Sequence, residues 1–151
     1  MNPMERLRLY HLGLALLTIA AYLTAEWEDV HEWLGYGAAA MIVVRLALAA
    51  TGLPQLGLFR FYPHFAGLTL GTLPTHPSIS RSLLLGIAAS LVGVVATGIT
   101  MAVGGETDAF EEAHELLGNL VMLLVGLHVV YLLLFKRPLA RFMAFLPRRS
   151  R

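Results

Sequence analysis

Four of the chain's six histidines stand in or at the ends of long apolar stretches, and their spacing is regular. Glu28-Asp29-Val30-His31-Glu32-Trp33-Leu34-Gly35-Tyr36 is echoed 83 residues later by Glu111-Glu112-Ala113-His114-Glu115-Leu116-Leu117-Gly118-Asn119. Each copy is a run of acids, a histidine opening an apolar stretch, and a glycine one turn on. Fourteen residues past His31 stands Arg45, and fourteen past His114 stands His128. On an α-helix, fourteen steps return to within about 40° of the starting face, about 21 Å along the axis. Polar groups at two depths of one apolar helix face are costly and signal function. Neutral imidazole is a common metal ligand, so the chemistry indicated is the holding of a cofactor.

The partners follow from depth. His11 lies fifteen residues before Glu26, about 22 Å from that end of its helix, while His128 lies about 21 Å from His114. His11 and His128 thus share one level, and His31 and His114 share the other. Two histidines facing across a helix bundle are what a bis-imidazole haem needs, each giving one nitrogen to iron while the other is oriented by a hydrogen bond. Bundle cores house such cofactors. Gly35 and Gly118, one turn from a histidine, let a flat ring approach the backbone. Arg45 shares a face with His31 at the inner level, where its guanidinium suits a haem propionate; snorkelling to the membrane surface explains it equally. His31-Glu32 with His114-Glu115 could instead form a zinc-type site, which leaves His11 and His128 unexplained. His64 and His76 fall in a loop, where solvation is the ordinary fate and a quinone or proton site the functional one.

The elements that must position these residues are membrane helices. The 151 residues are 57% hydrophobic and 14% charged, and the mean hydropathy is +0.68. That is too apolar for a soluble domain of this size. Apolar stretches at about 9–25, 30–53, 82–103 and 113–135 are long enough to span, so a single-domain, all-α bundle of four transmembrane helices is expected. The first is no signal peptide, because it holds a histidine, lacks a small-residue cleavage site and runs straight into the second. With no cysteine, disulfides, iron–sulfur clusters and covalent haem attachment are excluded.

Charge is segregated. All eleven Lys and Arg lie toward one side (Arg6, Arg8, Arg45, Arg60, Arg81, Lys136 and onward), whereas nine of the ten acids lie in the two short connections at the other. The positive-inside rule then places both termini and the 54–81 loop in the cytoplasm of a multi-pass inner-membrane protein. Within that loop, Phe59-Arg60-Phe61-Tyr62 reads as an interfacial segment. The basic tail 136–151 reads as an anchor to an anionic leaflet.

At these residues the chain resembles the bacterial cytochrome b561 group, which includes the membrane cytochrome b subunits of nickel–iron hydrogenases. Tyr10-His11, the His-Glu-Trp-Leu-Gly-Tyr run at 31–36, Arg45-Leu46, His76-Pro77 and the Glu-x-x-His-Glu-Leu-Leu-Gly-Asn-Leu run from Glu111 carry the likeness, with Leu127-His128-Val129 beyond it. The resemblance covers essentially the whole chain. It implies two non-covalent b haems, held by His11 with His128 and by His31 with His114.

A haem with both axial positions filled passes electrons and does no bond chemistry. The expected function is therefore transmembrane electron transfer between an outer redox partner and a quinone or other acceptor on the cytoplasmic side. The acidic outer face suits a basic c-type cytochrome, by steering. It disfavours superoxide as the substrate of a superoxide:quinone oxidoreductase, the alternative within the family. A membrane anchor of a larger oxidoreductase uses the same site. A histidine-based metal-binding or transport protein would need acids within the spans, and none lies there beyond the helix starts.

Overall fold

The computed structural model describes residues 3–50, 63–67, 69, 71, 76–104 and 107–144. Among these the chain is all-helical, with five helices and no strand: α1 Pro3–Leu23, α2 Glu28–Ala50, α3 Pro77–Ala102, α4 Asp108–Phe135 and α5 Arg137–Met143. Four are long, in the order the apolar stretches predict. α3 and α4 are long and apolar enough to cross a membrane, with mean hydropathy 2.2 over an 18-residue window.

Every long helix begins before its apolar run, because the polar residues ahead of that run are its capping turn. In α2 and α4 the acids Glu28, Asp29, Asp108 and Glu111 occupy the first turn, where a carboxylate meets the positive end of the helix dipole. Thr107 caps α4, its hydroxyl accepting from the Phe110 N–H at 3.4 Å. α3 starts at Pro77, inside the stretch expected to be loop, since proline at the first helical position surrenders no hydrogen bond. His76 caps it. Its Nδ1 accepts from the Ser78 N–H at 3.3 Å, and its Nε2–H donates to the Ala66 carbonyl at 3.4 Å. Both ring nitrogens are thus engaged in structure.

α1 and α2 meet through residues 24–27. The Thr24 hydroxyl and N–H close the last carbonyls of α1, at 2.8 Å and 3.0 Å to Ala20, and the Trp27 carbonyl accepts from the His31 N–H at 2.8 Å. So short a turn makes the helices neighbours. α3 packs along α4, α1 along α2, and α2 against α3. The Tyr22 hydroxyl donates to Asn119 Oδ1 at 2.8 Å and ties α1 to α4.

The basic stretch from 136, read from the sequence as an anchor to an anionic leaflet, is helical over its first part. Arg137–Met143 form α5, which packs on α4 with a proline in its first turn. Arg8 of α1 holds it: Nη1 donates to the Phe142 carbonyl at 3.2 Å, and the guanidinium stands 4.8 Å from the Phe142 ring centre. The start of α1 and the end of α4 therefore lie at the same end of the bundle. The Phe59–Tyr62 interfacial segment, the Gly105-Glu106 turn and the tail from 145 lie outside the described residues.

The packing is sparse inside and apolar outside. Among the described residues the buried set is Ala38, Ala39, Ser78, Ser90, Leu91, Val121 and Tyr131, whereas large apolar side chains are exposed along every long helix. On α4 the exposed Leu116, Leu120, Leu123, Leu127, Val130 and Leu134 recur at spacings of four and three, one continuous face. So long an apolar stripe is unsuited to water and suited to lipid. The opposite stripe, His114, Val121 and His128 at intervals of seven, turns inward.

Candidate cofactor site

His31 and His114 come together between α2 and α4. Their ring centres are 5.8 Å apart and their planes are near perpendicular at 82°. Each ring is anchored by its Nδ1. In His31 it donates to the Ala21 carbonyl of α1 at 2.8 Å. In His114 it donates to the Val94 carbonyl of α3 at 3.0 Å, with the Thr97 hydroxyl also at 3.0 Å. A carbonyl can only accept, so the proton of each neutral imidazole sits on Nδ1 and the lone pair on Nε2. Both side chains line one cavity of about 840 Å³, within the range of about 300–1,000 Å³ typical of small-molecule sites.

Glycines shape this space in two ways. A Cβ built at Gly35 or Gly118 meets nothing within 4 Å, so both positions leave the cavity open. A Cβ at Gly98 would stand 3.1 Å from His114 Cε1. Gly98 therefore lets α3 approach the imidazole closely enough for the Val94 carbonyl to hold it. At the mouth are five exposed carboxylates, Glu26, Glu28, Glu32, Glu111 and Glu115, and no basic side chain lines the cavity among the described residues.

His11 of α1 and His128 of α4 are near enough to act on one another electrostatically. His128 Nδ1 is buried and has no hydrogen-bond partner among the described residues. Arg45 sits close enough to Tyr10, the neighbour of His11, to act on it electrostatically, while the Tyr10 hydroxyl donates to the Met41 carbonyl at 2.7 Å. Arg45 thus belongs to the level of the inner histidines. His64 and His76 lie away from both pairs: the His64 carbonyl accepts from the buried Ser78 hydroxyl, and His76 is the α3 cap.

A zinc-type site finds no support, since it needs three or more converging protein ligands and no three His, Asp or Glu side chains converge so among the described residues. What inspection of the sequence missed is the α3 side of the outer site: the Val94 carbonyl, Thr97 and Gly98. A polar and a small residue placed side by side in an otherwise aliphatic span were the available signal.

The chain is all-helical, with two helices long and apolar enough to cross a membrane and two imidazoles meeting at one cavity. The chain belongs to the prokaryotic cytochrome b561 family, whose sequence model matches residues 5–145. It is accordingly a membrane b-type cytochrome of electron transfer, a family that binds haem b. Comparison with curated proteins and with solved structures finds no match.

The outer residues fit that group. Two imidazoles sharing one metal at about 2 Å per bond stand with ring centres about 6 Å apart, and those of His31 and His114 stand 5.8 Å apart. The fixed Nδ1–H tautomer is the one a metal-bound histidine adopts when its outer nitrogen is hydrogen-bonded. Gly35 and Gly118 leave room on either helix for a macrocycle.

Proposed function

We propose that the chain is a transmembrane dihaem cytochrome of the inner membrane, with four spanning helices (α1 to α4) and both termini in the cytoplasm. His31 and His114 would hold an outer haem b, and His11 and His128 an inner one. A haem with two axial imidazoles supplies one-electron redox chemistry and offers no open coordination site. Electrons pass between a partner at the acidic outer face and a quinone or other acceptor toward the cytoplasmic side.

The side chains then have distinct tasks. The Ala21 and Val94 carbonyls hold the outer imidazoles in one tautomer and orientation, which raises their basicity as ligands. The glycines keep the cavity open, and the lipid-facing leucines keep bulk water from the bundle. Arg45, at the inner level, suits a propionate of the inner haem. The outer carboxylates favour a basic redox partner such as a c-type cytochrome domain.

The observation that carries this reading is the outer pair: two histidines on different helices, each fixed by a backbone carbonyl, lining one cavity. Single replacements test it. His114→Ala and His128→Ala should each leave one b haem per chain with an altered redox titration. Loss of both haems from each variant, in a protein that still folds, would reject the pairing.

A further inference from the structure

We infer that the bend between α4 and α5 is a binding site for one anionic phospholipid, its phosphate taken by Arg137 and Arg141 and the start of an acyl chain laid in the cleft beside them. The site uses none of the histidines and does not depend on the number of haems.

The bend is set by one residue. α4 ends at Phe135 and α5 begins at Arg137. Lys136 between them has φ −133° and ψ 38°, outside the helical range, so the chain turns there. A cleft of about 240 Å³ opens in the turn, lined by Leu133, Arg137, Ala140, Arg141 and Ala144. That is below the range of about 300–1,000 Å³ for a whole small molecule, and it suits part of a larger one. Its walls are almost wholly apolar, so the arginines line it with their methylene stems, as long cationic side chains do at a membrane surface. Leu133 and Val129, one turn back on α4, are both exposed. The cleft is therefore continuous with a lipid-facing side of α4.

Charge supplies the other half. Arg137 and Arg141 are four residues apart on α5, which places their stems about 6 Å apart on one face. Like charges at that spacing repel unless an anion joins them. Among residues 1–25 and 116–151, Glu5 is the one acid, against eight Lys and Arg, so the chain carries little counter-charge of its own there. Arg137 Nε donates to the Leu133 carbonyl at 3.1 Å. That bond fixes the guanidinium across the bend and leaves its two Nη groups for another acceptor. Guanidinium forks match the paired oxygens of a phosphate. α5 is held from a different side: Arg8 of α1 bonds the Phe142 carbonyl and lies over the Phe142 ring, about 100° round the helix from Arg141.

An apolar trough beside two guanidiniums fits a molecule that joins a phosphate to a hydrocarbon chain. A free phosphate would leave the trough empty. The lipid would hold α5 at headgroup level and so fix the depth of α4 in the bilayer, as basic pockets beside membrane helices do with anionic headgroups.

The test is native mass spectrometry of the detergent-purified full chain, with phosphatidylglycerol, phosphatidylcholine and inorganic phosphate as probes in turn. One phosphatidylglycerol should bind per chain, about tenfold or more tighter than phosphatidylcholine. Each cation near the surface is worth about fivefold in attraction to anionic lipid. R137Q with R141Q should therefore weaken binding about twenty-five-fold, and Arg137→Gln alone about fivefold should the pair not fold. R148Q with R149Q and R151Q should leave it unchanged. The inference is overturned if phosphatidylcholine binds equally, or if inorganic phosphate displaces the lipid, which would make this a free-anion site. It is also overturned if the tail variant loses the lipid while the bend variant keeps it, which would leave only a diffuse attraction of bases to the leaflet.

Discussion

Gly98→Ala isolates the way α3 holds the outer ligand. The added Cβ would stand 3.1 Å from His114 Cε1 and 3.5 Å from Nδ1, against an optimal carbon–carbon separation of about 3.5–4.0 Å. The ring must therefore retreat from α3 by about 0.5 Å. The Val94 carbonyl and Thr97 hydroxyl, each 3.0 Å from Nδ1, are on α3 too, so the same retreat stretches both contacts. At about 3.5 Å they are at the edge of hydrogen bonding. Two such bonds are worth about 1 kcal/mol each. Together that is between ten- and a hundredfold in binding, about 1.4 to 2.7 kcal/mol, which agrees with the loss of about 10–100-fold in metal affinity seen when a ligand's outer partner is removed. The assay is a haem titration of the apoprotein in detergent, followed by Soret absorption. The outer site should weaken by that factor while the inner is unchanged. Gly126→Ala, whose Cβ would meet nothing within 4 Å, should leave both sites as they are. Parental affinity at both sites in Gly98→Ala would refute the claim that close helix approach positions His114.

Other perturbations probe the remaining contacts. Arg8→Ala removes the bond to Phe142 and the cation over its ring, loosening α5 by about 1 kcal/mol; trypsin should then cut at Arg141 about fivefold faster, and an unchanged rate would mean α5 is held by other contacts. His76→Ala deletes the α3 cap and should lower stability by about 1 kcal/mol in a chemical melt while both haems stay, whereas loss of a haem would make this loop histidine a ligand. E28K with E111K should slow reduction by a basic cytochrome about tenfold or more at low salt, with the difference fading at high salt; equal rates at low salt would remove the acidic face as a docking determinant.

The sequence was most legible where period and distance are fixed by the helix itself. His31 with His114 and His11 with His128 follow from a rise of about 1.5 Å per residue and a short turn at Glu26, and in the structure the His31 and His114 ring centres stand 5.8 Å apart. The glycine one turn past each outer histidine was visible in the sequence, and in the structure a Cβ at Gly35 or Gly118 meets nothing within 4 Å. Helix ends were less so. Apolar runs mark where a helix is buried in lipid, whereas the first helical residues Asp108 and Pro77 mark where its hydrogen bonds begin, and the two differ by five residues at each place. α5 is too short to leave an apolar run of its own, although a proline in its first turn is a start signal. The α3 contribution was hidden for another reason. Its key acceptor is the carbonyl of Val94, and a backbone atom leaves no trace in residue identity.

Counting haem tests the central claim most directly. A dithionite-reduced minus oxidised spectrum of the detergent-purified protein, with haem measured as the pyridine haemochrome against protein concentration, should return two b haems per chain. One haem per chain would contradict the assignment of one histidine pair, and none would contradict the account as a whole.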